Sequence, residues 1–301
     1  MTDYEAIVVG GGPAGITTGL WLARYRRKVL VLDSGRPRND ATWAVHGYPG
    51  IVDPPPHELR RILNDQAVAA GAEREAAIVV SIKGEKNDFN IMLEDDRCIS
   101  ARRVVLAYGR QDVLPEIEGL DELYGISVFH CPDCDGPSML DQRVGVYGND
   151  RSAAILALYL LTWAKKVTLL TDGYELNVKD EARKVVSHYG IDVVDNKIRC
   201  LCRDGDRLSA VEFNDGDALP LDGLFFHLGS HPSTDIAHHL GCERDEDGNL
   251  VVDNSHETSV PGIYGAGDLI GGPYLAVNAA ANGAKTAIAV HKSLLPPELA
   301  I

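Results

Sequence analysis

The most constraining stretch of this chain is its first 33 residues. Ala6-Ile7-Val8-Val9 is an apolar run without alternation, the pattern of a strand buried on both faces of a parallel sheet. It leads into Gly10-Gly11-Gly12-Pro13-Ala14-Gly15 and then an apolar helical stretch from Ile16 to Ala23. The G-x-G-x-x-G spacing falls on Gly10, Gly12 and Gly15. Gly10 permits the tight turn, Gly12 lets backbone approach a pyrophosphate, and Gly15 allows close helix–strand packing. Pro13 and Ala14 lie in the helix's first turn, whose free amides face the phosphates. A second strand, Val29-Leu30-Val31-Leu32, ends on Asp33 and is followed by Ser34. A carboxylate there can accept hydrogen bonds from an adenosine ribose. A glycine-rich turn alone is weak evidence. Strand, turn, helix, second strand and terminal acid in this order predict an α/β dinucleotide-binding domain.

The other end of the chain selects the dinucleotide. Pro261-Gly262-Ile263-Tyr264-Gly265-Ala266-Gly267-Asp268 reads as a strand and a G-x-G-D turn, with a helix from about Ala276 to Ser293. In flavoproteins with two dinucleotide sites, this turn sends the aspartate to the ribityl chain and aims the next helix N-terminus at the flavin. FAD is therefore expected rather than NAD, with Gly267, Asp268, Ala276 and Val277 among its contacts.

Composition sets the remaining bounds. A chain of 301 residues exceeds the size at which single cores usually stop growing, so two domains are expected. No run approaches 18 apolar residues, and the longest, Ala153 to Ala164, is broken by Thr162 and reads as a buried helix. Asp3 and Glu5 stand where a secretion signal needs basic residues, which makes the cytoplasm the expected location. In that reducing compartment six cysteines are not a structural disulfide framework, so the close pair Cys131 and Cys134 is catalytic or metal-binding. The net charge of −15 argues against nucleic acid and anionic membranes as partners. The cluster Arg24, Arg26, Arg27 and Lys28 reads as a solvated helix end.

With these landmarks in order, the sequence resembles the low-molecular-weight thioredoxin reductase family, FAD-dependent pyridine nucleotide-disulfide oxidoreductases. The matching segments are Gly10–Gly15, Ala107-Tyr108-Gly109, Cys131-Pro132-Asp133-Cys134-Asp135-Gly136, Asp222-Gly223-Leu224-Phe225 and Gly262–Asp268. The resemblance implies two Rossmann-like domains of three-layer ββα type, the second inserted in the first. The FAD domain would comprise residues 1–113 and 243–301. A domain resembling an NAD(P)H-binding one, 114–242, would carry the C-x-x-C. The resemblance also implies a homodimer and, as partner, a thioredoxin-like protein or a small dithiol or disulfide. Cys134 matches the cysteine against the flavin, Cys131 the interchange thiol, and Asp135 the acid–base residue. Two intervening residues let the sulfurs close a disulfide, and a helix start favours a thiolate, which Asp133 opposes. The competing reading, half of a zinc site, lacks a second pair. Cys200 and Cys202 are read as lying on a strand with thiols on opposite faces, so no metal is expected. Cys98 and Cys242 are read as structural too.

Departures from the family are concentrated in the second nucleotide site. Between the strand Arg143–Tyr147 and a helix from Ser152 to Trp163, the turn is Gly148-Asn149-Asp150-Arg151-Ser152-Ala153. Asp150 sits where bare backbone should meet the pyrophosphate, and its charge would repel a phosphate by ~1–4 kcal/mol at ~4 Å. After the strand Val167–Leu170, Thr171-Asp172-Gly173 replaces the family's basic triplet for the NADPH 2′-phosphate. NADPH is expected to fit poorly. Near the flavin, Leu275-Ala276-Val277 replaces Arg-Gln-Ala. His46, with Trp43, Tyr48 and Tyr108, is a candidate for the flavin's surroundings, and Asn39 for its ribityl–pyrophosphate side. The expected activity is disulfide reduction through FAD and the dithiol, with ferredoxin or another flavin as donor. The alternative is a flavin dithiol oxidase that uses O2.

Overall fold

The computed structural model describes residues 2–296 and Glu298. The chain forms two compact units. Unit 1 takes the chain up to Asp40, Gly47–Gln111 and the chain from His231; unit 2 takes Ala41–His46 and Asp112–Ser230.

Unit 1 begins with strand β1 (Tyr4–Val9), helix α1 (Pro13–Arg24) and strand β2 (Val29–Asp33). Helix α2 (Pro56–Ala69) and strands β3 (Glu73–Ala76), β4 (Val79–Glu85), β5 (Asp88–Leu93), β6 (Cys98–Leu106) and β7 (Arg110–Asp112) follow. β1 pairs in parallel with both β2 and β6, which places the glycine turn at the centre of the sheet's carboxyl edge. β4, β5 and the first half of β6 form an antiparallel meander.

Unit 2 contributes β8 (Val128–Phe129), α3 (Pro132–Asp135), β9 (Arg143–Tyr147), α4 (Arg151–Leu160), β10 (Lys166–Leu170), α5 (Asp180–His188) and β11 (Asp192–Val194). Then come β12 (Ile198–Asp204), β13 (Arg207–Phe213), β14 (Ala218–Pro220) and β15 (Gly223–Phe226). The sheet β11-β10-β9-β15-β8 is parallel throughout, and β12-β13-β14 is a separate antiparallel sheet. Val144, Val146, Leu156, Leu160 and Leu169 bury themselves between the parallel sheet and α4. α4 is the apolar run expected to be a buried helix, though it ends at Leu160 in a turn that carries Thr162 and Trp163.

The chain returns through β16 (Ser230–Pro232), α6 (Ile236–His239), β17 (Ile263–Gly265) and α7 (Ala276–Ser293). β17 pairs with the second half of β6, joining the C-terminal segment to the N-terminal sheet. Residues 231–242, which sequence reading assigns to the inserted domain, pack in unit 1, because Ile236, Ala237 and Cys242 enter its core. Two parallel sheets, each with an antiparallel layer and helices, make two Rossmann-like α/β units. Among the described residues no helix is long and apolar enough to cross a membrane.

The sequence reading places the Cys200 and Cys202 thiols on opposite faces. Cys200 and Cys202 do lie on strand β12, but their thiols share one face, each 3.8 Å from Glu212 Oε2 on β13. Strand side chains alternate with period two, so residues two apart return to the same side.

Candidate active site

Strand β8 delivers the chain to Cys131, whose extended backbone caps the short helix α3, with Pro132 at the first helical position. The helix brings Cys134 back over Cys131. The two form a disulfide with Cα atoms 5.3 Å apart, and the Cys134 amide donates to Cys131 Sγ at 3.2 Å. Both cysteines are partly exposed, whereas Asp135 is only 7% exposed. One Asp135 carboxylate oxygen is buried without a hydrogen-bond partner among the described residues. Burial therefore pushes its pKa up to about 6, and the nearby His46 acts in the opposite sense. That value poises the carboxyl to hold or release a proton near neutrality. Beneath the helix, a Cβ on Gly136 would meet the Trp163 ring at 2.5 Å, so the absence of a side chain there lets the dithiol turn rest on the indole. The exposed Asp133 accepts a hydrogen bond from the Tyr159 hydroxyl at 2.5 Å.

His46, a candidate for the flavin's surroundings by sequence, lies in the segment Ala41–His46. It belongs to unit 2, edge-on to the Trp43 ring at 5.0 Å and in electrostatic interaction with Asp135. Sequence reasoning missed His130, directly before Cys131. Its Nδ1 lies 2.9 Å from the Tyr124 hydroxyl and its Nε2 3.4 Å from Asp112. Adjacency to the cysteine was the available signal. Tyr108 packs within unit 1, where its hydroxyl accepts from the Ala237 amide at 3.3 Å and burial pushes its pKa up to about 12.

Unit 1 carries the glycine cradle. Gly10 has φ +118°, and a Cβ there would lie 2.2 Å from the Ala107 carbonyl oxygen, so the turn after β1 closes against the end of β6. A Cβ on Gly12 would meet nothing within 4 Å, and no side chain caps α1 at this residue. Bare backbone at Gly12 therefore borders open space at a helix start that no side chain caps, as a pyrophosphate requires. Asp33 closes β2 with its carboxylate fixed by the Gly35 amide (2.9 Å) and Arg74 (2.6 Å), which leaves lone pairs for a ribose; Ser34 next to it is exposed. Gly109 follows β6 with φ +69°. Gly267 packs against α1, since its Cβ would come within 2.8 Å of Ala14 Cβ, and Asp268 pairs with Arg38 at 2.8 Å beside Asn39 in the loop after β2. Ala276 and Val277 open α7, whose N-terminus also has no side-chain cap. The sequence-predicted cofactor residues other than His46 and Trp43 thus all lie in one unit, and the cradle fits a dinucleotide.

The corresponding turn of unit 2 is filled from within. Asp150 caps α4, its Oδ1 accepting from the Ala153 amide at 2.9 Å, and the Asn177 amide donates to the Asn149 carbonyl at 2.6 Å. Asp172, at the end of β10, is 8% exposed and accepts from the Ile198 amide (2.9 Å), Lys197 Nζ (2.8 Å) and the Tyr147 hydroxyl (3.3 Å). It ties the parallel sheet to the start of β12.

Residues 4–283 match the family described as pyridine nucleotide-disulphide oxidoreductase. A protein named thioredoxin reductase from Aquifex aeolicus is 30% identical over 97% of this chain and 93% of its own length. The chain belongs to this family. Among solved structures, HlmI superimposes with a TM-score of 0.92 at 32% identity, covering 97% of this chain and 92% of that one. The thioredoxin reductase TrxB of Bacillus anthracis, so titled as a putative assignment, superimposes at 0.90 with 30% identity, covering 97% and 98%.

As a thioredoxin-reductase-like pyridine nucleotide-disulphide oxidoreductase, the chain is an enzyme of a flavin-dependent family. The match extends through both units and includes both nucleotide turns.

Proposed function

We propose that this enzyme exchanges electrons between FAD, held by the glycine cradle of unit 1, and the Cys131–Cys134 pair, and that its donor is not NADPH. The observation that carries the reading is the second nucleotide turn. Asp150 already satisfies the helix amide a pyrophosphate would use, and its charge faces where phosphate would lie. Asp172 is committed to Lys197 and Ile198, at a strand end where a 2′-phosphate would need cations.

When bound, FAD supplies two-electron transfer to or from the dithiol. The remaining chemistry belongs to this chain. The Cys131 thiolate attacks a partner disulfide, forming one mixed S–S bond and releasing one partner sulfur. Asp135, with its pKa near 6, delivers the proton that sulfur takes. Cys134 then attacks Cys131 Sγ, releases the second partner thiol and restores the internal disulfide. The partner is a thioredoxin-like protein or a small disulfide, the donor ferredoxin or another flavin, and the enzyme a cytoplasmic homodimer.

The same closed turn favours a second reading, a dithiol oxidase. A substrate dithiol would reduce the Cys131–Cys134 disulfide, and the two electrons would leave to O2 as hydrogen peroxide, a cycle that needs no nicotinamide. Anaerobic stopped-flow mixing of the FAD-loaded enzyme tests both. The proposal expects no rapid flavin bleaching by micromolar NADPH; rapid bleaching would overturn it. Bleaching by dithiols with stoichiometric O2 consumption on re-aeration would select the oxidase.

A further inference from the structure

The antiparallel sheet of unit 2 carries two thiols and a carboxylate that the flavin–dithiol chemistry does not use. Cys200 and Cys202 project from one face of β12, and Glu212 stands directly across from Cys200 on β13. The strand pairing is irregular on both sides of the pair, between Ile198 and Cys200 and between Cys202 and Arg203. Such irregularities re-aim side chains that a regular ladder would hold apart. Both sulfurs converge on Glu212 Oε2 at 3.8 Å, and the three ligand atoms lie within 4.8 Å of one another, each residue partly accessible.

We propose that Cys200, Cys202 and Glu212 bind one thiophilic divalent cation of the Zn2+ class. A tetrahedral ion with Zn–S near ~2.3 Å and Zn–O near ~2.1 Å holds its ligand atoms roughly 3.5–3.8 Å apart. The three donors reach that spacing by contracting about 1 Å or less, within the range of side-chain rotation. Three protein ligands leave the fourth position for water or an external thiol.

The alternative use of two neighbouring thiols, a disulfide, suits the strand poorly. Two residues of extended chain place Cα atoms ~6.6 Å apart, at the far end of the roughly 4.4–6.8 Å that a disulfide accepts. A bridging ion spans that gap more readily. Charge supports the choice as well. Arg199 Nη2 donates to Glu212 Oε2 at 2.6 Å. Two thiolates, the carboxylate, the Arg199 guanidinium and a divalent ion sum to zero. The guanidinium also fixes the carboxylate beside the sulfurs, and Oε2 keeps a second lone pair for the ion. Binding breaks two S–H bonds and forms two metal–sulfur bonds, and both protons go to solvent; no oxidant is consumed.

The test uses the FAD-loaded full chain with Cys131–Cys134 oxidised, so that the redox pair contributes no thiolate. Zn2+ is titrated against a chromophoric chelator, and Co2+ is added separately as a spectroscopic probe. The expected result is one Zn2+ per chain and, with Co2+, a thiolate charge-transfer band with tetrahedral d–d bands. Cys200→Ser and Cys202→Ser each weaken Zn2+ by more than the ~10–100-fold typical of losing an outer-sphere partner. Glu212→Gln weakens it less while leaving the fold and dithiol–flavin exchange intact, which keeps the test decisive should a serine variant fail to fold. Absence of stoichiometric Zn2+ binding, or affinity unchanged in Cys202→Ser and Glu212→Gln, would overturn the proposal. Neither result bears on the flavin–dithiol reading.

Discussion

The proton carried by Asp135 has a thermodynamic signature independent of turnover. Its pKa stands at about 6 in the folded protein against an ordinary value of 3.8, a gap of roughly 2 units or ~3 kcal/mol. The direction follows from the carboxyl being easier to ionise once unfolded. Below pH 4 both states are protonated and the group costs nothing. Between 4 and 6 the unfolded state ionises first and folding loses stability, and above 6 the full cost remains. At pH 4.5 the cost is about 1 kcal/mol and at pH 8 about 3 kcal/mol, so it grows by ~2 kcal/mol across that range. Asp135→Asn removes the ionisation while keeping the shape. Its amide has a burial cost of its own, but one that does not change with pH. Thermal melts of oxidised wild type and variant should therefore show the variant gaining on the wild type by about 4–8 °C between pH 4.5 and pH 8, taking ~2–4 °C per kcal/mol. A difference that stays constant with pH would refute the burial argument. Dithiol–disulfide exchange in the same variant should slow by roughly 10²–10⁴-fold and lose its inflection near pH 6.

Gly136→Ala drives a Cβ to 2.5 Å from the Trp163 ring and should cost about 1–3 kcal/mol, read as a lower melting temperature with altered indole fluorescence. Asp150→Ala removes the cap on the Ala153 amide and should destabilise unit 2 by about 0.5–2 kcal/mol in denaturant titration; a neutral result would show that the carboxylate is not holding the turn. Gly10→Ala sets a Cβ 2.2 Å from the Ala107 carbonyl in a turn at φ +118°, so the purified variant should lose the flavin's yellow absorbance, and full retention would argue against the cradle.

What could be read from sequence was whatever local chemistry encodes. The strand–turn–helix order at Ile7 to Ala23 is written in apolar runs and glycines, and the last helix spans Ala276–Ser293 as its sequence suggests. Contacts between distant segments were not encoded that way. Nothing near His46 says that it will face Asp135, 89 residues on, because that proximity comes from Ala41–His46 packing with unit 2. The fate of residues 231–242 likewise depends on Ile236 and Cys242 finding the core of unit 1. Cys200 and Cys202 were a different case. The sequence reading put their thiols on opposite faces although period-two alternation returns residues two apart to the same side, and the partner strand with Glu212 had to come from the structure.

Asp150, which the sequence marks as out of place in a phosphate turn, caps α4. An aspartate is among the best side chains for satisfying a free helix amide, and that amide is the group a bound pyrophosphate would use. The exchange is therefore one for one. In the proposed reading, stability that the carboxylate adds to α4 through Ala153 is affinity withdrawn from a phosphate, and its negative charge adds repulsion. The bare backbone at Gly12 in unit 1 makes the opposite choice, leaving its helix end uncapped and open to a ligand. The two turns share a topology and differ in whether a side chain caps the first helical turn.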